Sequence, residues 1–306
     1  EIEAGPVARP RNFNADQPTV TMIGELFPVD PVGVGALLEP MGLSVAPQLP
    51  SREWRDLYAA LDCQVAAAVH PFYTASVREF ERAGRPVVGS GPVGLDGTAA
   101  WLDSVGKAAG VPDKQIDAAK AKALPAIKAA LADNPIKATV TVSGYEGSEL
   151  LVARLLMEAG ATVPYVGTAC PKTPWSEADR EWLEARGAHV QYRASLEQDV
   201  AAMQDAKPDL AIGTTPLVQK GKELGIPSLY FTNMVSARPL FGPAGAGSMS
   251  GIVAAQTRGK ARFASMVDFF DGVGTGGKNA GHVWPAQTPS AAKAAAKPVA
   301  KPAAEG

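Results

Sequence analysis

Cysteine is nearly missing from the 306 residues: there are 2, Cys63 and Cys170, one in each half of the chain. Without a C-x-x-C spacing or a second pair there is no disulfide framework, and one chain has too few thiols to hold an iron–sulfur cluster with cysteine alone. Any such cluster must borrow ligands. Histidine is almost as scarce at 3, and neither His189 nor His282 has a partner at metal-ligand spacing. Charge of one sign is also lacking. Lys+Arg 29 against Asp+Glu 31 leaves a net −2, so there is no broad basic surface for a nucleic-acid backbone, and nucleic acid is excluded as a partner class. No apolar run approaches the ~18 residues that cross a bilayer, and Glu1-Ile2-Glu3-Ala4-Gly5-Pro6 lacks the charged and apolar parts of a signal peptide. The chain therefore reads as soluble and cytoplasmic. Its opening without Met is expected of a processed protein or a piece of a longer one. Neither a G-x-x-x-x-G-K-[ST] phosphate loop nor a G-x-S-x-G elbow occurs.

What is present is ordinary globular composition, 46% hydrophobic and 20% charged, at a length that suits about two domains. Residues 1–18 carry Pro6, Pro10 and Pro18 without an amphipathic period and read as an extended lead-in. From Thr19 strand and helix patterns alternate. Strands are expected at Thr19–Ile23, Ser44–Leu49, Val65–Val69 and Pro86–Val88, with helices at Val32–Met41, Arg52–Leu61, Ala75–Ala83 and Asp96–Ala109. A long Ala/Lys helix, Asp113–Leu131, closes at Asp133-Asn134-Pro135, where the domain boundary is placed: 19–132 and 133–285.

A second alternating series follows the boundary. Strands are expected at Ala138–Val142, Thr162–Val166, His189–Tyr192, Leu210–Ile212 and Ser228–Phe231, and helices at Ser148–Ala159, Glu177–Ala185, Leu196–Met203 and Leu217–Leu224. Ser176-x-x-Asp179 and Ser195-x-x-Gln198 spell capping boxes. Gly242–Gly251 reads as a glycine-rich loop before a last helix ending near Phe270, and residues 286–306 as a disordered Ala/Lys/Pro tail. Regular alternation of this kind is the signature of an α/β fold, parallel sheets covered by helices.

Ligands of such folds bind outside the carboxyl ends of the strands. Glu25 ends the first strand beside Phe27 and Asp30, and His70 ends the third, followed by Pro71, Phe72 and Tyr73. Gly144-Tyr145-Glu146-Gly147 ends the first strand of the second series. Each has a plainer reading: a solvated carboxylate at Glu25, a capping histidine over packed aromatics, and for Glu146 a favourable charge at a helix N-terminus. Gly89-Ser90-Gly91-Pro92-Val93-Gly94 spells G-x-G-x-x-G, but it follows a late strand and lacks an acidic residue placed to hold a ribose, so it reads as a turn and not as an NAD site. Both cysteines read as small buried residues.

Several stretches together resemble the nitrogenase component 1 superfamily. They are Val20-Thr21-Met22-Ile23-Gly24-Glu25, Leu37-Leu38-Glu39-Pro40-Met41-Gly42-Leu43, Ala68-Val69-His70-Pro71-Phe72-Tyr73, Lys207-Pro208-Asp209-Leu210-Ala211-Ile212-Gly213, Gly225-Ile226-Pro227 and Phe241-Gly242-Pro243. Within that family, the wording of His70–Phe80 and Val93–Leu102 is similar to the dark-operative tetrapyrrole-reducing branch, the one containing the chlorophyllide reductases. The resemblance implies three Rossmann-like domains per subunit, of which this chain carries the second and third. It also implies a [4Fe–4S] cluster whose ligands lie in the first domain, so no metal site is assigned to this chain. At the positions of nitrogenase's cofactor ligands stand Pro71 and Thr232, which cannot replace a thiolate and an imidazole. That leaves the pocket to another occupant.

As implied by the resemblance, the substrate is chlorophyllide a, reduced at C7=C8 with two electrons and two protons in bacteriochlorophyll synthesis. The partners are a homologous catalytic subunit, Z, in a heterotetramer, and an ATP-Mg-dependent iron–sulfur reductase, subunit X, that delivers the electrons. Alone, this chain would be inactive. A flat apolar ring needs aromatic walls and a few polar groups, a role open to Phe72, Tyr73, Tyr145 and Glu146, and Glu25 and His70 are the candidate proton donors. The rival expectation is a non-catalytic scaffold of the same family or a two-domain protein that binds a small ligand.

Overall fold

The computed structural model describes residues 17–24, 31–51, 54, 56–70 and 73–270. Most of the lead-in, all of the 286–306 tail, Glu25, Phe27, Asp30, Pro71, Phe72 and His282 lie outside the described residues. In chain order the elements are β1 Thr19–Ile23, α1 Pro31–Leu38, β2 Ser44–Val45, α2 Asp56–Ala59, β3 Val65–Ala68, α3 Thr74–Arg82, β4 Val87–Gly89, α4 Gly94–Ala108 and α5 Asp113–Asp133. There follow β5 Val140–Gly144, α6 Glu149–Glu158, β6 Tyr165–Thr168, α7 Glu177–Glu184, β7 His189–Tyr192, α8 Leu196–Ala206, β8 Leu210–Gly213, α9 Thr215–Glu223, β9 Ser228–Tyr230, α10 Phe231–Ser236 and α11 Gly242–Arg258. All of these fall in a unit reaching Lys260; a second unit begins at Ala261, within the helix α12 Lys260–Phe270.

Two parallel sheets result, ordered β2-β1-β3-β4 and β7-β6-β5-β8-β9. This is the helix-covered α/β architecture expected from the alternation. Parallel strands buried on both faces read as continuous apolar runs, and β3, Val65-Ala66-Ala67-Ala68, is buried at every position. Its two faces serve different cores. Ala67, with Val20, Met22 and Val69, joins the main core, whereas Ala66 and Ala68 pack with Ile23, Cys63, Val77 and Phe80. The main core is continuous between the sheets: it also takes in Val140, Val142, Val166 and Ile212 of the second sheet, with Trp101, Ile127 and Leu155 of the helices between them.

The helix α6, Glu-Leu-Leu-Val-Ala-Arg-Leu-Leu-Met-Glu, is buried at every position from Glu149 to Leu156. A helix apolar nearly all round belongs inside a protein, and its burial brings two charged residues in with it.

Three expectations are corrected. The expected strand Thr162–Val166 pairs regularly only at Tyr165–Thr168; Pro164 has no N–H to give a ladder, and Thr162 keeps a single bridge to Thr139. Ser176 does not cap α7 through Asp179. Its hydroxyl instead meets Thr173 in the 3₁₀ turn before the helix, and Asp179 is drawn inward to Arg154. The Ser195–Gln198 box forms as spelled, with its two N–H bonds at 3.3 and 2.9 Å.

The third correction concerns Gly242–Gly251, which is not a loop but the first half of α11. Tertiary packing overrides the poor helix propensity of glycine here: α11 lies close against α5, with Gly247 beside Ala130 and Gly251 beside Asn134.

These glycines are not equivalent. A Cβ at Gly245 would run into the Leu240 carbonyl, whereas one at Gly247 would meet Ala130 at an ordinary 3.7 Å. Gly245→Ala should therefore destabilise the chain by about 2 kcal/mol or more, and Gly247→Ala should be neutral or stabilise it by up to about 1 kcal/mol. Urea melts of the two variants measure the difference; equal midpoints would contradict this packing.

Candidate functional site

In each sheet the order in which successive strands are added reverses at one pair of parallel neighbours, β1/β3 in the first and β5/β8 in the second. Crossover helices leave such strands on opposite faces, which opens a crevice at their carboxyl ends. His70 lies just beyond β3, at the first of these points. The Tyr145–Gly147 turn lies just beyond β5, at the second.

The two points touch. Gly147 has φ +93°, and a side chain there would occupy the space of the His70 imidazole. Glycine is required twice over, by the backbone conformation and by the ring packed on it. From the other side Gly24, at the end of β1, leaves room for Val69 and for His70 Cβ, which a Cβ would approach to 3.0 Å. Tyr73 meets the imidazole edge-on, 5.5 Å between centroids at 79°. Enclosed in this way His70 is 1% exposed, and burial disfavours its charged form, lowering its pKa to about 4. It is a neutral ring at pH 7.

The turn holds two more groups. Tyr145 projects into solvent, 54% exposed, and Glu146 accepts a 2.7 Å hydrogen bond from the Thr232 hydroxyl at the start of α10. Beneath the turn is Glu149, fully buried. Its carboxylate accepts from the N–H of Glu146 at 2.7 Å, the N–H of Gly147 at 2.9 Å and the hydroxyl of Thr168 at 2.9 Å. Desolvation outweighs these bonds and pushes its pKa up to about 7.

A clasp joins the sheets beside this edge. Arg154 of α6 pairs with Asp179 of α7, both buried, and Asp179 also accepts from the Ser90 hydroxyl at 2.8 Å. Glu158, at the end of α6, accepts from the N–H groups of Leu95 and Asp96 at the start of α4. The helix N-terminus that would hold a pyrophosphate in a dinucleotide site is thus taken by a carboxylate of the chain itself. The glycines of that loop face protein too: Gly89 abuts the Trp175 backbone, Gly91 the Phe241 ring and Gly94 Glu158. Between the clasp and Gly147 remains a cavity of about 10 Å³, lined by Ala68, Ser90, Thr168, Cys170 and Trp175 among others. That is room for about one water.

A metal cluster finds no ligand set here. Among the described residues no three His, Cys, Asp or Glu stand together in a way that could hold a metal ion. Cys63 is buried before β3 and Cys170 after β6, on different sheets. Burial raises both thiols, Cys170 to about 12, so neither is a ready thiolate.

Of the residues singled out from sequence, the structure brings His70, Tyr73 and the Tyr145–Glu146 turn to one edge; Glu25 and Phe72 lie outside the described residues. Sequence reasoning passed over Glu149, Arg154 and Glu158 and read Asp179 only as part of a helix cap. A signal existed for two of them: Glu149 and Arg154 interrupt an otherwise apolar helix, and charges placed so must find buried partners. No helix among the described residues is long and apolar enough to cross a membrane.

Residues 8–255 match the family model described as nitrogenase component 1 type oxidoreductase. The chain is 63% identical to the chlorophyllide reductase 52.5 kDa chain of Cereibacter sphaeroides and 61% identical to that of Rhodobacter capsulatus, over 90% of this chain in each case and 55% and 56% of the relatives. It thus spans about half the length of these curated relatives. Among solved structures, nitrogenase Cp1 at pH 5 shares the fold with a TM-score of 0.60 at 14% identity, covering 78% of this chain and 56% of that one.

The edge makes stability depend on pH in two opposing ways. His70, whose pKa falls on folding, contributes stability that is complete above its ordinary 6.5 and is lost as pH drops through about 4. Glu149, whose pKa rises on folding, contributes stability that is complete below its ordinary 4.5 and is lost as pH climbs through about 7. Between pH 4.5 and 6.5 the two slopes oppose. In urea melts across that window, Glu149→Gln should gain stability relative to the wild type as pH rises and His70→Gln should lose it; two variants that run parallel to the wild type would refute both assignments.

Proposed function

The chain belongs to the nitrogenase component 1 type oxidoreductase family, and from that premise we propose that it is part of a subunit of a chlorophyllide reductase, which reduces the C7=C8 bond of chlorophyllide a in bacteriochlorophyll synthesis. The likeness to the chlorophyllide reductase chains supports the substrate class. The observation that carries the site is the packing of His70 on the Tyr145–Gly147 turn, which unites the crevices of two sheets in one edge.

The division of labour follows from what this chain has. As the family resemblance implies, the [4Fe–4S] cluster is assigned to other segments of the assembly with the homologous Z subunit; among the described residues no three His, Cys, Asp or Glu stand together so as to hold a metal ion. Electrons come singly from the ATP-dependent reductase, subunit X. This chain contributes a wall and protons. A cavity of about 10 Å³ cannot admit a macrocycle, so the ring lies against the open edge, where Tyr145 exposes a flat face and Tyr73, beside the His70 ring, offers a second aromatic wall; Phe72, its neighbour in sequence, is assigned to the same role. Glu146, fixed by Thr232, supplies a polar contact at the rim.

Reduction of a ring double bond needs two protons along with the two electrons. Glu25, next to Gly24 at the end of β1, is the proposed terminal donor. His70, neutral when buried, is proposed as a relay that gains a proton at one ring nitrogen while giving up the other.

In the full assembly with reductase, ATP and saturating chlorophyllide, Glu25→Gln and His70→Ala should each lower turnover on the order of 10²-fold, the usual scale for losing a general acid, while chlorophyllide affinity changes much less. His70→Ala also empties the space against Gly147, so it is read as turnover per bound substrate. Near-normal turnover in both variants would remove these residues from proton delivery, and lost affinity with normal turnover of the bound fraction would recast them as walls.

A further inference from the structure

Glu149 holds the turn after β5 from below. Its carboxylate takes two consecutive amides of the turn, those of Glu146 and Gly147, together with the Thr168 hydroxyl. The local sequence is shaped around this contact. A Cβ at Gly144 would meet the Glu149 side chain, so this glycine opens the space beneath the turn, just as Gly147 opens the space above it for His70. Among the described residues no cation contributes to its environment: the groups that act on it are the Thr168 hydroxyl and the amides of Glu146, Gly147 and its own residue, and the nearby Cys170 and Glu146 add no positive charge. A buried carboxylate without a counter-ion is tolerated only while its donors stay in place, so turn and side chain fix one another.

We propose that Glu149 is the positioning residue of the edge, anchoring the Tyr145–Gly147 turn so that Glu146 meets Thr232 and Gly147 bears on the His70 ring. Its bearing on ring reduction rests on the function proposed above, but the anchoring itself does not. Substitution should release the turn while leaving β5 and α6 paired and packed. Water then reaches the His70 ring, and Glu146 loses its fixed place beside Thr232.

The test compares the full chain with its Glu149→Gln and Glu149→Ala variants by site-resolved amide hydrogen exchange and by the pH titration of the His70 ring in NMR spectra. In Glu149→Ala the amides of Glu146 and Gly147 should exchange at least about 10-fold faster, the equivalent of one hydrogen bond, with Val140–Ser143 unchanged. The His70 titration should move from about 4 toward its ordinary 6.5. Glu149→Gln retains one acceptor oxygen, which at the Oε1 position still meets the Glu146 amide at 2.7 Å but the Gly147 amide only at 3.2 Å, so the Gly147 amide, which loses its 2.9 Å bond to Oε2, should exchange faster than in the wild type while Glu146 stays protected. If Glu149→Ala does not fold, Glu149→Gln decides: wild-type exchange at the Gly147 amide would overturn the proposal. Wild-type exchange at both amides together with an unmoved His70 titration would overturn the proposal. Chlorophyllide binding by the wild-type assembly, measured alongside, separates the two readings: its absence would count against the function and leave the exchange result standing.

Discussion

A charged side chain can be buried only if something nearby answers its charge or its hydrogen-bonding groups, and α6 carries Glu149 and Arg154 into the core and Glu158 to its margin. The answers come from three directions. Glu149 is met by its own preceding turn, Arg154 by Asp179 on α7, and Glu158 by the first amides of α4 in the part of the chain that holds the first sheet. One helix therefore sets how the two sheets stand to each other and how the turn after β5 is shaped. The contact between His70 and Gly147 follows from both. Removing one partner of a buried pair such as Arg154–Asp179 leaves a bare charge, a loss usually on the order of 3–5 kcal/mol, and the bonds that run from these residues to the elements of the first sheet are those of Asp179 with Ser90 and of Glu158 with the start of α4.

The same constraint explains what could be read from the sequence. Strand positions and helix cover followed from local pattern: β3 is apolar at each residue because both faces are covered, and α5 repeats buried residues at Ile116, Ala119, Ala123, Ile127 and Leu131. His70 and Tyr145-Glu146 were legible because a residue that ends a parallel strand is already placed at the sheet's carboxyl edge, whatever its contacts. The partners of α6 were not, because nothing local to Asp179 or to the start of α4 announces a charge arriving from a distant helix. The glycines of α11 misled for the matching reason: their purpose is to approach α5, which is not adjacent in sequence.

Chemistry at this edge draws on unequal resources. It has a buried neutral imidazole, an exposed tyrosine, a rim carboxylate held by a threonine, and a fully buried carboxyl near neutrality. Such a set can wall a flat apolar substrate and handle protons. It has no thiolate and no cluster of metal-binding side chains among the described residues. On the function proposed above, this fold would form one face of a larger reaction chamber, and Thr232, which the family resemblance sets where nitrogenase has a cofactor ligand, holds Glu146 by hydrogen bond.

The most direct measurement is a cryo-electron microscopy map of the complete assembly with chlorophyllide bound. The account predicts the macrocycle against this edge, with the Tyr145 ring covered and the reduced bond facing the His70 side of the crevice. A macrocycle bound with Tyr145 still open to solvent and no part of the ring near the His70–Gly147 contact would contradict it.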